Sequence, residues 1–208
     1  MRNLKWIFLI LTLTIVACST SKITTSWKAK DIPVKKYNKI LVLALINDKD
    51  RRIRERMEQH FVGDLTNLGY TAISALQEYG PKAFDSLAEK AALEKIKNSG
   101  VEAVVTIVLL DKQKKDVYIA PQVYSKGFGA YYENRQNSIF EPGYYVSDTK
   151  YLWESNFYDM SNDSLLYSVQ TKSFSPKNIE SMGHEYGQKI VKSMRREKIL
   201  QKQIAQDD

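Results

Sequence analysis

Two nearly continuous apolar runs do most to limit what this chain can fold into. Residues 39–46 (KILVLALI) and 101–110 (VEAVVTIVLL) are too short for buried helices and are bounded by polar residues, the pattern of strands covered on both faces. Between them, Asn47-Asp48-Lys49-Asp50 supplies N-cap candidates, and Ile53, Met57, Phe61, Leu65 and Leu68 follow at helical spacing until Gly69 offers a C-cap. Residues 70–75 read as a second strand, Gly80-Pro81 as a turn, and residues 83–98 as a helix ending at Gly100. Strands separated by helices form βαβ units with right-handed crossovers. The expectation is therefore a three-stranded parallel βαβαβ core with residues 39–46 near its middle.

The second half of the chain changes character. Residues 117–151 carry seven tyrosines together with Phe128, Phe140 and glycines 127, 129 and 143, without a regular period. Residues 150–158 (KYLWESNFY) and 165–173 (LLYSVQTKS) flank a turn-forming group at 159–164 and predict a β-hairpin that adds antiparallel strands to the sheet. Ser175-Pro176 opens a last helix in which Ile179, Met182, Tyr186, Ile190 and Met194 share a face. Gly183 and Gly187 beside them allow close packing. The fold class is α/β: a parallel core extended by an antiparallel hairpin, helices packed on the sheet and a C-terminal amphipathic helix. Residues 37–200 form one domain and residues 201–208 a frayed tail.

At the N-terminus, Arg2 and Lys5 precede an apolar stretch over residues 6–17. A bilayer crossing takes ~20 apolar residues at about 1.5 Å rise each, so this segment has the order and length of a cleaved export signal. Ile15-Val16-Ala17-Cys18 resembles the bacterial lipobox. That resemblance implies removal of residues 1–17 and acylation of Cys18, palmitate included, with residues 18–36 as a polar lipidated tether. Ser19 and Thr20 after the cysteine resemble sorting patterns for the periplasmic face of the outer membrane. Loss of Arg2 and Lys5 lowers the 31 Lys+Arg to 29 against 24 Asp+Glu, a modest basic bias. Export removes nucleic acid as a partner and leaves anionic headgroups, acidic envelope polymers or plain solvation as its meaning. With the only cysteine acylated, disulfides, thiolate metal sites and cysteine nucleophiles are excluded.

The succession KYNKILVLALI, RRIRERMEQHFVGDLTNLGY, GVEAVVTIVLLD and YLWESNFYDMSNDSLLYSVQTKSF, closed by an amphipathic helix, resembles a group of bacterial envelope lipoproteins. Their α/β arrangement is similar to the N-terminal domain of TolB and the periplasmic part of the curli secretion lipoprotein. The matching positions are Arg54, Glu58, Leu65 and Gly69, then Glu154, Tyr158, Asp159 and Leu166. The resemblance implies envelope assembly or trafficking rather than catalysis. Arg54 and Glu58, four apart on a helix, also read simply as a surface pair worth about 0.3 to 0.5 kcal/mol.

The residues present argue against chemistry of the usual kinds. His60 lies four residues before Asp64 on one helix, but a metal site needs three or four ligands, and no further ones are visible; His184 reads as a surface imidazole. Neither HExxH nor GxSxG occurs. The crevice beyond residues 39–46 would hold Asn47, Asp48, Lys49, Asp50 and Arg51. It has no glycine to bring backbone N–H groups to a phosphate, so capping is the reading of Asp48 and Asp50. Glu154 with Asp159 is a carboxylate pair whose hairpin setting favours a turn role. No cofactor, metal or catalytic residue is assigned.

The expected function is a non-catalytic, lipid-anchored binding or assembly protein of the envelope, joined to the membrane through Cys18 and to an envelope protein or itself. The alternatives are an envelope-polymer or small-molecule hydrolase using the crevice, and a homo-oligomeric structural lipoprotein. The candidate partner-binding residues are Tyr124, Phe128, Tyr131, Tyr132 and Phe140, because tyrosine combines apolar area, a hydroxyl and few rotatable bonds. The competing reading is an extra hairpin whose aromatics cover the sheet.

Overall fold

The structure is a computed structural model describing residues 21–32, 35–84, 87–119, 128–139 and 144–203. A six-stranded sheet forms its centre: β1 (Ser21–Lys28), β2 (Lys39–Leu45), β3 (Thr71–Ser74), β4 (Ala103–Ile119), β5 (Tyr144–Asp159) and β6 (Ser164–Phe174). The strand order is β1-β6-β5-β4-β2-β3. β2 pairs in parallel with β3 and β4, and the β4, β5, β6 and β1 pairings are antiparallel. The helices are α1 (Arg51–Thr66), α2 (Ala75–Tyr79), α3 (Glu89–Lys97), α4 (Phe128–Ile139) and α5 (Ile179–Arg196). The class is mixed α/β, as the sequence indicates.

Alternation along β2 sends its apolar run to two cores, which is why the run is continuous. Ile40, Val42 and Ala44 face one side, where α1 and α5 bury Met57, Phe61, Leu65, Met182, Tyr186, Ile190 and Met194 with Trp153 and Phe157 of β5. Leu41 and Leu43 face the other, against Ala75, Leu93, Ile96 and Met160. Two buried hydroxyl pairs tie α5 to the sheet: Tyr186 OH with Ser155 Oγ at 2.7 Å, and Tyr167 OH with Ser193 Oγ at 2.8 Å. Burial pushes the Tyr186 phenol up, so it stays a neutral hydrogen-bonding group.

α1 and α5 touch through glycine. A Cβ on Gly183 would sit 2.8 Å from His60 Cδ2 and 3.2 Å from the Arg56 carbonyl oxygen, and one on Gly187 would overlap Asp64 Oδ2. The helices therefore approach only because α5 carries no side chain at these two positions.

Three boundaries differ from the sequence reading. Residues 21–28 lie within the expected tether but form an edge strand, in register from Ser21↔Ser173 to Lys28↔Tyr167. An edge strand needs main-chain partners and β-branched residues rather than an apolar face, so its polarity concealed it. The last helix begins at Ile179 rather than at Ser175-Pro176, because Asn178 and Ser181 form a capping box there. Residues 201–203 are docked rather than frayed: Gln201 N donates to Tyr70 OH at 2.9 Å, and Gln203 N to the Leu68 carbonyl at 2.8 Å. Gly69, at φ +89°, accommodates that contact, since a Cβ there would stand 2.9 Å from the Gln203 oxygen.

Candidate functional site

β4 and β5 continue past the body. Their register runs unbroken in pairing direction to Ile119↔Tyr144, with one irregularity at Leu109/Asp111. β2 ends beside β4 at Leu45↔Val108, and β6 ends beside β5 at Lys150↔Phe174. The pairs from Lys114↔Thr149 to Ile119↔Tyr144 thus make a two-stranded arm. At about 3.3 Å per residue it projects roughly 17 Å.

The arm changes chemistry along its length. Its shaft carries Lys114 opposite Thr149, Lys115 opposite Asp148 and Asp116 opposite Ser147, whose hydroxyl donates to Asp116 at 2.6 Å. Its end is apolar on both faces. Tyr118 and Tyr145 share one face with ring centroids 5.2 Å apart; Val117 with Val146, and Ile119 with Tyr144, share the other. Tyr144 is 64% exposed and Tyr145 71%. The root is pinned where Lys112 Nζ meets Asp50 Oδ1 at 2.6 Å. That hydrogen bond holds the Lys112 ammonium above the usual lysine range. Beside it lies a cavity of about 310 Å³ lined by Asp111, Gln113, Lys150, Leu152, Lys172 and Phe174.

α4 lies in the connection between the two arm strands. Phe128 is 80% exposed, and its ring stands 6.2 Å from that of exposed Tyr132, whose hydroxyl accepts from Gln136 Nε2 at 2.9 Å. Of the expected partner-binding residues, these two are brought together. Tyr131 belongs to α4 with its side chain outside the described residues, where Tyr124, Phe140 and the expected lipidation residue Cys18 also fall. Helical structure over 128–139 fits neither a plain loop nor a hairpin there. The arm strands flanking it escape a reading of the sequence because the tyrosines break the expected alternation. The available signal is the pair of runs VYI and YYV, rich in aromatic and β-branched residues.

The remaining polar candidates have structural partners. Asn47 Oδ1 accepts from Lys49 N at 3.1 Å and caps the single 3-10 turn Asp48–Asp50 that leads into α1, whereas Asp50, at the N-cap position of α1, makes no cap bond and is spent on Lys112. Arg54 and Glu58, read as a surface pair, are buried. Glu58 accepts from Ala44 N at 2.9 Å, Leu76 N at 2.8 Å and the Ser74 hydroxyl, while Arg54 Nη1 donates to the Pro81 carbonyl at 2.9 Å. The carboxylate thereby joins β2, β3 and α2. Glu154 and Asp159 do not form a pair. Five residues apart on β5, roughly 16 Å along the strand, they serve opposite faces. Glu154 accepts from Asn156 and Gln170; Asp159 accepts from Lys35, Tyr37 and Ser161. Burial alone would raise the Asp159 pKa, but hydrogen bonds from Ser161 and Lys35 hold it below the usual carboxylate range.

His60 and His184 meet at the α1–α5 contact with ring centroids 5.7 Å apart. His60 Nε2 lies 2.8 Å from Glu180 Oε1, and Arg56 Nε 3.1 Å from Glu180 Oε2. Asp64 Oδ2 is buried there without a hydrogen-bond partner. Its pKa is raised by burial, against the pull of His184 and His60. Among the described residues no group of three or more His, Cys, Asp or Glu could hold a metal ion. On the opposite sheet face, an apolar cavity of about 280 Å³ is lined chiefly by Leu43, Leu93, Ile96, Tyr158 and Met160.

No protein-family model and no curated protein matches the chain. Among solved structures it is similar to PelC from Paraburkholderia phytofirmans, a dodecamer, at 11% identity over 82% of this chain and 94% of that one, with a TM-score of 0.45. It is also similar to lipoprotein GNA1162 from Neisseria meningitidis, at 12% identity over 76% of this chain and 98% of that one, with a TM-score of 0.41. Likeness at this level carries no activity, partner or assembly over to the present chain.

Proposed function

We propose that this chain is a non-catalytic, lipid-anchored binding or assembly protein of the bacterial envelope, tethered through Cys18 at the periplasmic face of the outer membrane. Its interaction surface is the connection that the β4–β5 arm carries at its end, with Phe128 and Tyr132 of α4. The observation that carries this reading is the arm itself. A polar two-stranded shaft leads away from the body to a connection that carries exposed Phe128 and Tyr132, an arrangement that costs apolar exposure. Aromatic residues of low conformational entropy are suited to partner contacts. The buried carboxylates Glu58 and Asp159 are engaged in holding strands and loops together, which supports a scaffold rather than a catalyst. The resemblance of the sequence to envelope lipoproteins forms part of this proposal.

Replacing residues 121–143 with a Gly/Ser linker tests it. Because loop closure changes little with length and the core lies elsewhere, the melting transition should stay cooperative. Crosslinked envelope partners, including further copies of the chain, should disappear. Unchanged crosslinking would remove the interaction role, and a collapsed transition would place the segment in the folding core.

A further inference from the structure

We propose that the end of the β4–β5 arm rests in the interface of the phospholipid bilayer next to acylated Cys18, as a second membrane contact. This rests on the reading of Cys18 as the lipid attachment point. Ser21 is the first residue of β1, so only Ser19 and Thr20 separate it from Cys18. Three residue steps reach at most about 10 Å. Ser21 pairs with Ser173, and Ser173 with Tyr151, at the root of the arm. β1 therefore enters the sheet at the end from which the arm leaves it. The end of the arm, at Tyr144, stands roughly 23 Å beyond the level of Tyr151, more than twice the reach of the tether, so the lipid cannot hold the body far enough away to keep the arm clear of the bilayer.

The arm's chemistry fixes how it meets the lipid. Lys114, Lys115, Asp116 and Asp148 forbid passage of the shaft through hydrocarbon, so the arm slants along the headgroup layer and only its end dips. That end is apolar on both faces, with Tyr118 and Tyr145 on one, and Val117, Val146 and Tyr144 on the other. A flat protein surface would cover one face, whereas an interfacial layer surrounds both, and tyrosine suits its mixed polarity. Near the lipid attachment, Lys22 stands directly opposite Lys172, and Lys150 follows one diagonal along the same face, 3.9 Å from Asp148. Opposed like charges on neighbouring strands are unfavourable, and phosphate headgroups neutralise them.

A photoreactive benzophenone amino acid placed at Tyr144, at Tyr145 or at Trp27 of the full-length protein in its native envelope distinguishes the outcomes. Trp27 is 52% exposed and pairs with Ser168, at the far end of the sheet from the arm. Phospholipid adducts should form at 144 and 145 and stay at background at 27. Two arm positions guard against one variant failing to fold. Adducts to protein alone at 144 and 145, no adducts there, or equal lipid adducts at all three positions would overturn the proposal. Palmitate labelling of the same samples separates it from the anchoring claim: label that is lost in Cys18→Ser, with no lipid adduct on the arm, leaves the lipoprotein reading standing and removes the arm contact. Lipid adducts on the arm without label do the reverse.

Discussion

At the scale of single residues, the molecule spends its buried charge on holding elements together, and Asp64 is the exception. Glu58 satisfies two backbone N–H groups and a hydroxyl at the ends of β2 and β3, so its carboxylate replaces hydrogen bonds that the strand termini would otherwise lack. Asp64 instead presents a buried oxygen without a partner against Gly187. Its raised pKa, caused first by burial, means that folding favours the protonated acid. The contribution is therefore most favourable below the unfolded aspartate pKa of about 3.9 and is lost as pH rises through the higher folded value. Asp64→Asn, which supplies a neutral side chain of the same shape, should raise the melting temperature at neutral pH. The gain should shrink as pH falls toward the unfolded value. If thermal denaturation at neutral pH instead finds the Asp64→Asn variant destabilised, the two histidines stabilise the ionised form more than burial opposes it.

Among elements, α1 and α5 form the layer on which the sheet depends. Phe61 and Ile190 are fully buried between them and the strands. Replacing either by alanine should cost roughly 2 to 5 kcal/mol, read from denaturant midpoints; unchanged midpoints would contradict the packing described. These helices are legible in the sequence because burial on one face imposes a 3.6-residue period on apolar residues such as Met57, Phe61 and Leu65. The interior strand β2 is legible from its continuous apolar run. β1 is not, since an edge strand held by its backbone leaves no apolar signature in SKITTSWK. Nor is the arm, because beyond the body no core selects an alternation, and Lys112 to Asp116 therefore read as surface. Of the candidate site, sequence reasoning reaches Phe128 and Tyr132 from aromatic density alone. It passes over Tyr118, Tyr144 and Tyr145, whose grouping depends on a cross-strand register that no local pattern encodes.

For the whole molecule, the proposed reading turns on the relation between Cys18 and the arm. The edge strand β1 begins at Ser21, three residues from Cys18, and the arm leaves the sheet at the end where β1 enters it, so in the proposed reading acyl chains and arm would meet one membrane. Two or three acyl chains on one cysteine supply stable attachment at about 0.8 kcal/mol per buried CH₂, a strength that a few tyrosines do not match. In that proposed reading the arm would orient the protein rather than retain it. All of this depends on the state of one residue. Mass analysis of the N-terminal peptide of the protein taken from its native envelope tests that state most directly. The account predicts a chain that begins at Cys18 and carries a diacylglyceryl group on its sulfur; a chain that begins elsewhere, or an unmodified Cys18 thiol, would contradict it.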